Sequence, residues 1–362
     1  MKALSITLDG FRNFTSARAE FAETVNILYG SNGSGKTNLL EAIFVLCLGR
    51  SQRRASDAAM LCTNSDVYRV SGRIEADGST QEVAVAYERS RRKRLTISGA
   101  VAGLSQLYEK NCAVSAGPED SEILFGPPAV RRGFLDIYNA QLSLKYLSEL
   151  SSYQRALAQK NAALRQGLDG GPFEPLLIRH GARVMLTRTE FLQEVDKLAA
   201  AKYARVSHGE PISLTYRPSV KIDAAHSSVE EIETAFQVSL EDQLERERVM
   251  QTALAGPHRD DIMIEIGGLP ARTHSSRGQW RTAALCLKLA VYDLLREKRQ
   301  TAPLLLLDEV FAELDKTRSD SLIEMFADYS QMFLTTAAGP PEQLRASSKS
   351  FHIQDGNIRE GE

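Results

Sequence analysis

Gly30-Ser31-Asn32-Gly33-Ser34-Gly35-Lys36-Thr37 is a complete G-x-x-x-x-G-K-[ST] phosphate-binding loop, and the apolar run 25–29 leads directly into it. In such a loop the glycines allow backbone N–H groups to point at phosphates, while the lysine reaches the β- and γ-phosphate oxygens. The hydroxyl of Thr37 can hold Mg²⁺. Residues 37–46 form an apolar helical run whose N-terminus would face the phosphates. The stretch 30–37 therefore predicts a nucleoside triphosphate site.

A short acidic segment far downstream predicts the rest of that site. The four leucines 304–307 form an apolar run that ends in Asp308 and Glu309. A strand that is apolar on both faces is typical of the interior of a parallel sheet, and such sheets bind ligands at the carboxyl edge. We expect Asp308 to meet the Mg²⁺ held by Thr37, directly or through water, and Glu309 to polarise the attacking water. Lys36 and Glu309 are thus the candidate catalytic residues, although an acidic pair can also be a solvated strand end.

A serine-glycine-glutamine turn precedes this strand in the chain. Ser276, Gly278 and Gln279 stand at the start of a buried helix that the apolar spacing predicts over residues 280–298. A hydroxyl, an unobstructed backbone N–H and the positive end of a helix dipole can together bind an anion. An ordinary helix N-cap explains the same residues, and without further context it is the better interpretation.

Length and composition limit the classes of protein that remain. The chain has 362 residues and 43% hydrophobic content, enough for two lobes, and its 44 Lys and Arg nearly balance its 46 Asp and Glu. A nucleic-acid site must therefore be a local basic patch. The scattered cysteines favour buried reduced thiols over disulfides or a metal site, and the sequence has neither a signal-peptide core nor an apolar run of membrane-spanning length. We expect a cytoplasmic protein with no membrane partner.

The predicted elements indicate an α/β fold with a mainly helical second lobe. Three alternating stretches that follow the loop helix predict an antiparallel β-meander beside the nucleotide site. Residues 134–209 are predominantly helical, residues 212–216 have the pattern of a strand, and a capping box from Ser228 to Glu231 opens another helix. The three stretches of the meander are residues 67–75, 81–88 and 94–98.

The order of these parts resembles the ATPase heads of the ABC superfamily. A phosphate loop, a large insertion, a Ser-x-Gly-Gln turn, an apolar strand ending in Asp-Glu and the segment 312–315 follow one another as they do in that superfamily. The resemblance implies an ABC-type P-loop ATPase head with ATP and Mg²⁺ as cofactors. The head is assigned residues 1–115 and 250–362, and the mainly helical lobe residues 116–249.

In that superfamily, ATP holds two heads together as a dimer. The resemblance implies that Ser276 and Gly278 of one subunit approach the γ-phosphate bound by another, with Gln279 of the same turn as a further nucleotide contact. Asp315 lies in a segment that resembles the D-loop, which crosses the dimer seam. The superfamily usually has a switch histidine after the strand that follows the Asp-Glu pair, but residues 331–338 supply threonines instead. Fast hydrolysis is therefore not expected.

Four segments that span nearly the whole chain resemble the RecF family of DNA replication and repair proteins. The resemblance implies a DNA-binding protein that forms a homodimer on ATP and recognises gapped or junction duplex DNA. It further implies a weak, DNA-stimulated ATPase that serves as a switch, and loading of RecA together with RecO and RecR. The segments are Gly10-Phe11-Arg12-Asn13-Phe14, residues 117–120 with 131–136, residues 256–261, and Ser276-Arg277-Gly278-Gln279.

Two basic clusters are the candidate DNA contacts. Arg91, Arg92 and Arg94 lie in a predicted hairpin connection, and Arg53 and Arg54 follow the loop helix. Local groups of this kind can neutralise DNA phosphates, although a charged turn is often merely solvated. Neither cluster has interleaved aromatic residues, which favours contact with the duplex backbone over stacking on single-strand bases.

Two other classes of function stay open on the sequence. A transporter-type motor would couple hydrolysis to a membrane partner, and the absence of a switch histidine and the non-standard signature turn argue against it. A nuclease-linked ATPase would need a further acidic metal cluster, for which Asp260 and Asp261 are the candidate pair. His258 in the same segment is interpreted as a histidine satisfied by local hydrogen bonds.

Overall fold

The chain folds into two units. The computed structural model describes residues 1–168, 170–222, 227–311, 322–326, 328–337, 344 and 348–361. Contacts group Met1–Asp120 with Ala284–Glu362 as the first unit and Ser121–Ala283 as the second. The four cysteines are free thiols, and three of them are buried. None of the helices in the described ranges is long and apolar enough to cross a membrane.

The bounds of the elements are as follows. The strands are β1 Lys2–Phe11, β2 Phe14–Glu20, β3 Val25–Tyr29, β4 Val67–Ala76, β5 Ser79–Glu88, β6 Arg94–Ile97, β7 Ala100–Val101, β8 Ala113–Ala116, β9 Ile212–Arg217, β10 Asp261–Ile266, β11 Leu269–Pro270, β12 Leu304–Leu307, β13 Met332–Thr336, β14 Ser348–Gln354 and β15 Asn357–Glu360. The α-helices are α1 Lys36–Leu48, α2 Leu104–Lys110, α3 Glu122–Phe125, α4 Pro128–Leu142, α5 Leu144–Arg165, α6 Glu174–Val206, α7 Val229–Met250, α8 Ala271–His274 and α9 Arg277–Arg299.

Two six-stranded sheets form the first unit. One is antiparallel, with the order β2-β1-β4-β5-β6-β7, and contains the predicted meander as β4, β5 and β6. The other has the order β15-β14-β3-β13-β12-β8, in which all strands except β15 run parallel to their neighbours. β12 has a parallel partner on each side and is fully buried, as its run of leucines predicts. The α/β class and the meander are confirmed.

Helix α1 is buried on all sides because it lies between these two sheets. It contacts β1, β4 and β5 of the antiparallel sheet and β8 and β13 of the parallel sheet. Every residue from Leu39 to Leu48 is buried. A helix that is apolar all round needs partners on every side, and each fully buried leucine contributes about 1.5–3 kcal/mol. The helix is therefore a rigid support for the phosphate loop that precedes it.

The second unit combines long helices with a small antiparallel sheet. Helices α4, α5, α6 and α7 pack against one another, and α6 also packs on β9 of the sheet β11-β10-β9. The strand predicted over residues 212–216 is β9, and Ser228 caps α7 in the predicted capping box with Glu231. Residues 250–283 group with this unit because β10 pairs with β9. The domain boundaries drawn from the sequence stay a prediction.

A buried arginine connects polar groups inside the second unit. Arg188 of α6 is 2% exposed, and its guanidinium donates to Asp136 at 2.7 Å and to the Pro257 carbonyl at 2.7 Å. It also donates to the Tyr146 hydroxyl at 3.1 Å. A buried charge is tolerated only when it is paired and hydrogen-bonded, so these contacts fix α4, α5 and α6 to the loop before β10.

His258, in the same loop, is held as a neutral imidazole. Its Nδ1 accepts a hydrogen bond from the Tyr153 hydroxyl, and its Nε2–H donates to the Ala253 carbonyl at 3.1 Å. Carbonyls only accept, so this pairing selects the tautomer with its proton on Nε2. Burial, assisted by the nearby Arg259 cation, lowers the pKa of His258 to about 4. The histidine thus holds the loop through two hydrogen bonds, and neither ring nitrogen is free for acid–base catalysis.

The neutral His258 predicts a loss of stability in mild acid. The pKa is 6.5 for an unperturbed histidine and about 4 in the fold, so the unfolded chain binds more protons between these values. The contribution of His258 to the free energy of unfolding is fully present above pH 6.5 and is lost on acidification, by about 2 kcal/mol at pH 5. In urea unfolding, His258→Gln should flatten this pH dependence, whereas His208→Asn, which removes an exposed histidine, should leave it unchanged. An unaltered slope in His258→Gln would contradict a buried neutral imidazole.

Candidate nucleotide site

The phosphate-binding loop, residues 30–35, connects the end of β3 to the start of α1. Gly30 and Gly35 have φ angles of 152° and 113°, which L side chains rarely adopt. A Cβ on Gly35 would lie 2.4 Å from the Asn13 side chain, so the close approach also requires glycine. The first turn of α1 leaves backbone N–H groups without helical partners at this point, which suits an anionic phosphate.

Lys36 is a buried cation at the rim of the loop. Its side chain is 3% exposed, and Nζ donates to the Gly30 carbonyl at 2.9 Å and to the Ser31 carbonyl at 3.1 Å. A carboxylate oxygen of Glu309 lies 3.6 Å from Nζ. Because the two carbonyls anchor the ammonium at the loop, phosphates bound there would meet a fixed positive charge.

Thr37 and Asp308 form the candidate magnesium site. The Thr37 hydroxyl oxygen lies 3.0 and 2.9 Å from the two carboxylate oxygens of Asp308. Burial raises the pKa of Asp308, and hydrogen bonds from Thr335 and Thr37 partly counter that shift. Mg²⁺ prefers oxygen ligands and usually combines one or two carboxylates with waters and substrate phosphates. The pair therefore fits an ion that binds together with a nucleotide, and no three His, Cys, Asp or Glu of the described residues form a separate metal site.

Glu309 lies at the same edge of the parallel sheet, directly after Asp308. Its side chain is 32% exposed and faces a cavity of about 260 Å³ at the loop. A partly exposed carboxylate in this place can orient a water for attack on a γ-phosphate. The structure thus brings the predicted Lys36, Thr37, Asp308 and Glu309 together. Lys36, Thr37 and Glu309 line the cavity together with Asn32, Gly33, Gly35 and Asn38.

Two residues outside the predicted set contact Asp308. Thr335 of β13 donates to Asp308 Oδ1 at 2.7 Å. Gly117 follows β8, and a Cβ there would lie only 3.0 Å from the Asp308 Cβ, so the strand end can approach closely. Gly117 had a signal in the sequence because it begins one of the RecF-like segments. Thr335 stood in the sequence only as one of the threonines in place of a switch histidine, and nothing there indicated its bond to Asp308, which lies 27 residues away.

The RecF-like segment Gly10–Phe14 supports the loop and its helix. Asn13 donates to the Ser34 carbonyl at 3.0 Å. Arg12 pairs with Glu41 of α1 through Nε at 2.8 Å and Nη2 at 2.9 Å, and the Glu41 side chain is fully buried. A bidentate pair fixes orientation as well as charge. These two contacts give the segment a structural role that its residue types alone did not predict.

Ser276, Gly278 and Gln279 form the N-terminus of α9, which begins at Arg277 and not at the predicted residue 280. The Ser276 N–H donates to Gln279 Oε1 at 2.8 Å, and the Gln279 N–H donates to Ser276 Oγ at 3.3 Å. This reciprocal capping starts the helix earlier than its apolar spacing suggests. Ser276 is exposed, so the turn is both an N-cap and an open surface. Asp315, the candidate D-loop contact, lies outside the described residues.

The two basic clusters are neighbours in the first unit. Lys93, in the turn between β5 and β6, donates to the Gly49 carbonyl at 2.8 Å, and Gly49 caps the end of α1. This bond brings the turn against the segment that follows α1. We call the combined surface the basic corner; its arginines are Arg53, Arg54, Arg91, Arg92 and Arg94.

The arginines of the basic corner differ in their partners. Arg53 pairs with Glu119 at 3.0 Å, and Arg91 pairs with the glutamate three residues before it at 3.3 Å. Arg92 and Arg94 are exposed and have no ion-pair partner within the described part of the chain. Exposed cations without a carboxylate partner are the ones most available to an external phosphate.

Asp260 and Asp261 are occupied by contacts within the second unit. Asp260 is buried and accepts hydrogen bonds from the Tyr216 hydroxyl and, at 2.7 Å, from the Ser219 N–H. Asp261 accepts from both Nε and Nη2 of Arg131. The described ranges supply no third acidic or histidine ligand beside them. The pair therefore has a structural explanation, and the nuclease alternative gains no support.

The chain is similar over its whole length to one group of proteins. The RecF/RecN/SMC N terminal domain family model matches residues 3–355. The DNA replication and repair protein RecF of Staphylococcus aureus (strain JH9) is 33% identical over 370 residues, which cover 99% of this chain and 100% of that protein. The chain belongs to the RecF family.

Solved structures of RecF proteins have the same fold. The structure of the recombination mediator protein RecF-ATP in the RecFOR pathway has a TM-score of 0.91 and 28% identity, and covers 100% of this chain and 98% of that one. The corresponding RecF-ATPrS structure has a TM-score of 0.89 and 29% identity, with 99% and 97% coverage. The Smc head domain from Pyrococcus furiosus, at a TM-score of 0.54 and 16% identity, shares the fold alone. The ABC-type head fold is confirmed.

Removal of the Lys36 charge should abolish tight nucleotide binding. Lys36→Ala deletes the ammonium, and Lys36→Arg replaces a compact cation with a planar guanidinium that does not fit between the same two carbonyls. In fluorescence titration with ATP and Mg²⁺, we expect affinity to fall by about 10- to 100-fold or more. Lys110→Ala, which removes an exposed lysine at the end of α2, is the control. Unchanged ATP affinity in Lys36→Ala would show that the loop does not bind phosphates in this way.

Proposed function

We propose that this protein is an ATP-dependent DNA-binding recombination mediator. It binds ATP with Mg²⁺, dimerises on ATP, and binds gapped or single-strand/double-strand junction DNA in the cytoplasm. With RecO and RecR, it assists the loading of RecA in DNA repair and replication restart. The observation that carries the proposal is the convergence of Lys36, Thr37, Asp308 and Glu309 at one sheet edge, in a chain that belongs to the RecF family throughout its length.

ATP binding and hydrolysis would switch the protein between a dimer and a monomer, without continuous turnover. Thr37 and Asp308 would hold Mg²⁺, which neutralises phosphate charge, Lys36 would contact the β- and γ-phosphates, and Glu309 would orient the attacking water. The strand after the Asp-Glu pair carries threonines where the superfamily usually has a switch histidine. Slow hydrolysis, accelerated by DNA, would then limit how long a dimer stays on its substrate.

The dimer contact is proposed to use the exposed turn at the start of α9. Ser276 presents a hydroxyl there, Gly278 leaves its backbone N–H unobstructed, and the helix dipole is positive at this end. These groups suit the γ-phosphate of a nucleotide held by a second copy of the chain. ATP would then contribute binding energy directly to the interface.

The DNA contact is proposed to lie at the basic corner. With a formal net charge of −2, the whole chain has no long-range attraction for DNA, so a local patch must supply the phosphate contacts. Arg92 and Arg94 are the strongest candidates because of their exposure. Two such corners in an ATP dimer would roughly double the number of neutralised phosphates.

Two variants test ATP-driven dimerisation. Glu309→Gln keeps the shape of the side chain but cannot serve as a base, so it should hydrolyse ATP slowly and accumulate as an ATP-bound dimer. Ser276→Arg should still bind ATP as a monomer but fail to dimerise, because a bulky cation fills the turn. Sedimentation velocity with and without ATP measures both. Normal dimerisation of Ser276→Arg would exclude this turn from the interface. If Glu309→Gln stays monomeric in the presence of ATP, the proposal that ATP drives dimerisation is wrong.

A salt titration tests the basic corner. The test variant replaces Arg91, Arg92 and Arg94 together by alanine. In the presence of non-hydrolysable ATP, it should bind duplex DNA more weakly and show a smaller slope of log affinity against log salt concentration. The matched control replaces Arg155, Arg246 and Arg248, three exposed arginines of the second unit, so the loss of net charge is the same. An equal slope in the two triple variants would place the DNA site elsewhere. DNA affinity that does not change with ATP would contradict DNA binding by an ATP-driven dimer.

A further inference from the structure

Thr335 occupies a central position between the metal site and the catalytic glutamate. β13 lies between β3 and β12 in the parallel sheet, and Leu334 pairs with Leu307. Thr335 is therefore the residue of β13 that stands beside the end of β12, where Asp308 begins the acidic pair. Its side chain is 1% exposed, so its hydroxyl cannot be satisfied by bulk water.

The Thr335 hydroxyl bonds both members of the acidic pair. Its oxygen donates to Asp308 Oδ1 at 2.7 Å and accepts from the Glu309 N–H at 2.8 Å. The single donor of the hydroxyl is thus committed to Asp308. The bond to Oδ1 restrains the carboxylate plane, in which both oxygens lie within reach of the Thr37 hydroxyl, Oδ1 at 3.0 Å and Oδ2 at 2.9 Å.

The bond to Glu309 acts on the backbone. Glu309 has a φ of 47°, in the left-handed region, which is strained for a residue with a Cβ and persists only when its surroundings hold it there. The Thr335 oxygen supplies such a restraint through the Glu309 N–H. This backbone conformation places the Glu309 carboxylate 3.6 Å from Lys36, toward the phosphate loop.

We propose that Thr335 is a positioning residue for ATP hydrolysis, which uses one hydroxyl to align both the magnesium-binding carboxylate and the water-activating glutamate. It acts through Asp308 and Glu309 and touches neither the nucleotide nor the ion. In this family member β13, the strand that follows the Asp-Glu pair in the chain, would therefore orient Glu309 through the hydroxyl of Thr335. The inference rests on the proposed ATPase reaction and adds a residue to it.

Thr335→Val removes the hydroxyl and preserves the shape of the side chain. We expect kcat for ATP to fall by about 10- to 100-fold, as for the loss of a hydrogen bond to a charged group, with KM changed by no more than about twofold. The affinity of the protein–ATP complex for Mn²⁺, measured by electron paramagnetic resonance, should also fall severalfold because Asp308 is no longer aligned. ATP affinity in the presence of a chelator should stay unchanged.

Two further variants separate positioning from a general structural role. Thr335→Ser restores the hydroxyl and should recover most of kcat and of Mn²⁺ affinity. Thr7→Val is the matched control, since Thr7 is half-buried on β1, away from the nucleotide site, and makes no side-chain hydrogen bond to the described residues. Wild-type kcat in Thr335→Val, no rescue by serine, or an equal defect in Thr7→Val would each overturn the proposal.

The test is independent of the recombination function. If Thr335→Val fails to fold, Thr335→Ala takes its place, because it also removes the hydroxyl; wild-type kcat and Mn²⁺ affinity in Thr335→Ala would overturn the proposal, and a loss of both that Thr335→Ser restores would support it. If wild-type protein hydrolyses ATP but neither dimerises nor binds DNA, the proposed function fails while the role of Thr335 stands. If dimerisation and DNA binding follow ATP but Thr335→Val hydrolyses normally, only the positioning role fails.

Discussion

The hydrogen bond between Thr37 and Asp308 is the contact on which the rest of the nucleotide site depends. It joins residues 271 positions apart in the chain. It requires β3 and β12 to lie in one parallel sheet with β13 between them, so that the residues after each strand emerge at the same edge. With another strand order, the phosphate loop and the acidic pair would both be present in the sequence and would never meet.

The same contact is made to a carboxylate whose charged form is penalised by burial. Burial raises the pKa of Asp308, which means that the fold disfavours its charged form. Hydroxyls of Thr37 and Thr335 offset part of that penalty. On the proposed function, Mg²⁺ held by Thr37 and Asp308 would offset more of it, because a cation is attracted to the charged carboxylate.

Local patterns predicted the elements of the site, while long-range pairing determined the residues that the sequence did not reveal. The run of leucines in β12 and the glycines of the loop can be interpreted from a few neighbouring residues. The contacts of Thr335 and the strand β8 cannot, because they depend on distant parts of the chain. Ala113–Ala116, for example, is a short run that becomes a strand by pairing with β12. Arg188 is a similar case, because arginine is usually exposed and its burial depends on Asp136 and Pro257 of other elements.

The position of Lys36 would couple nucleotide binding to the readiness of Glu309, the proposed base. Its ammonium lies 3.6 Å from Glu309 and also bonds two loop carbonyls. Phosphate oxygens that bind at the loop compete with Glu309 for this one cation, and their greater charge favours them. A glutamate released from the lysine is a better hydrogen-bond acceptor for water than one shared with it. On the proposed function, binding of a triphosphate would therefore free Glu309 to orient water, and the backbone restraint from Thr335 would keep the freed carboxylate at the phosphate loop.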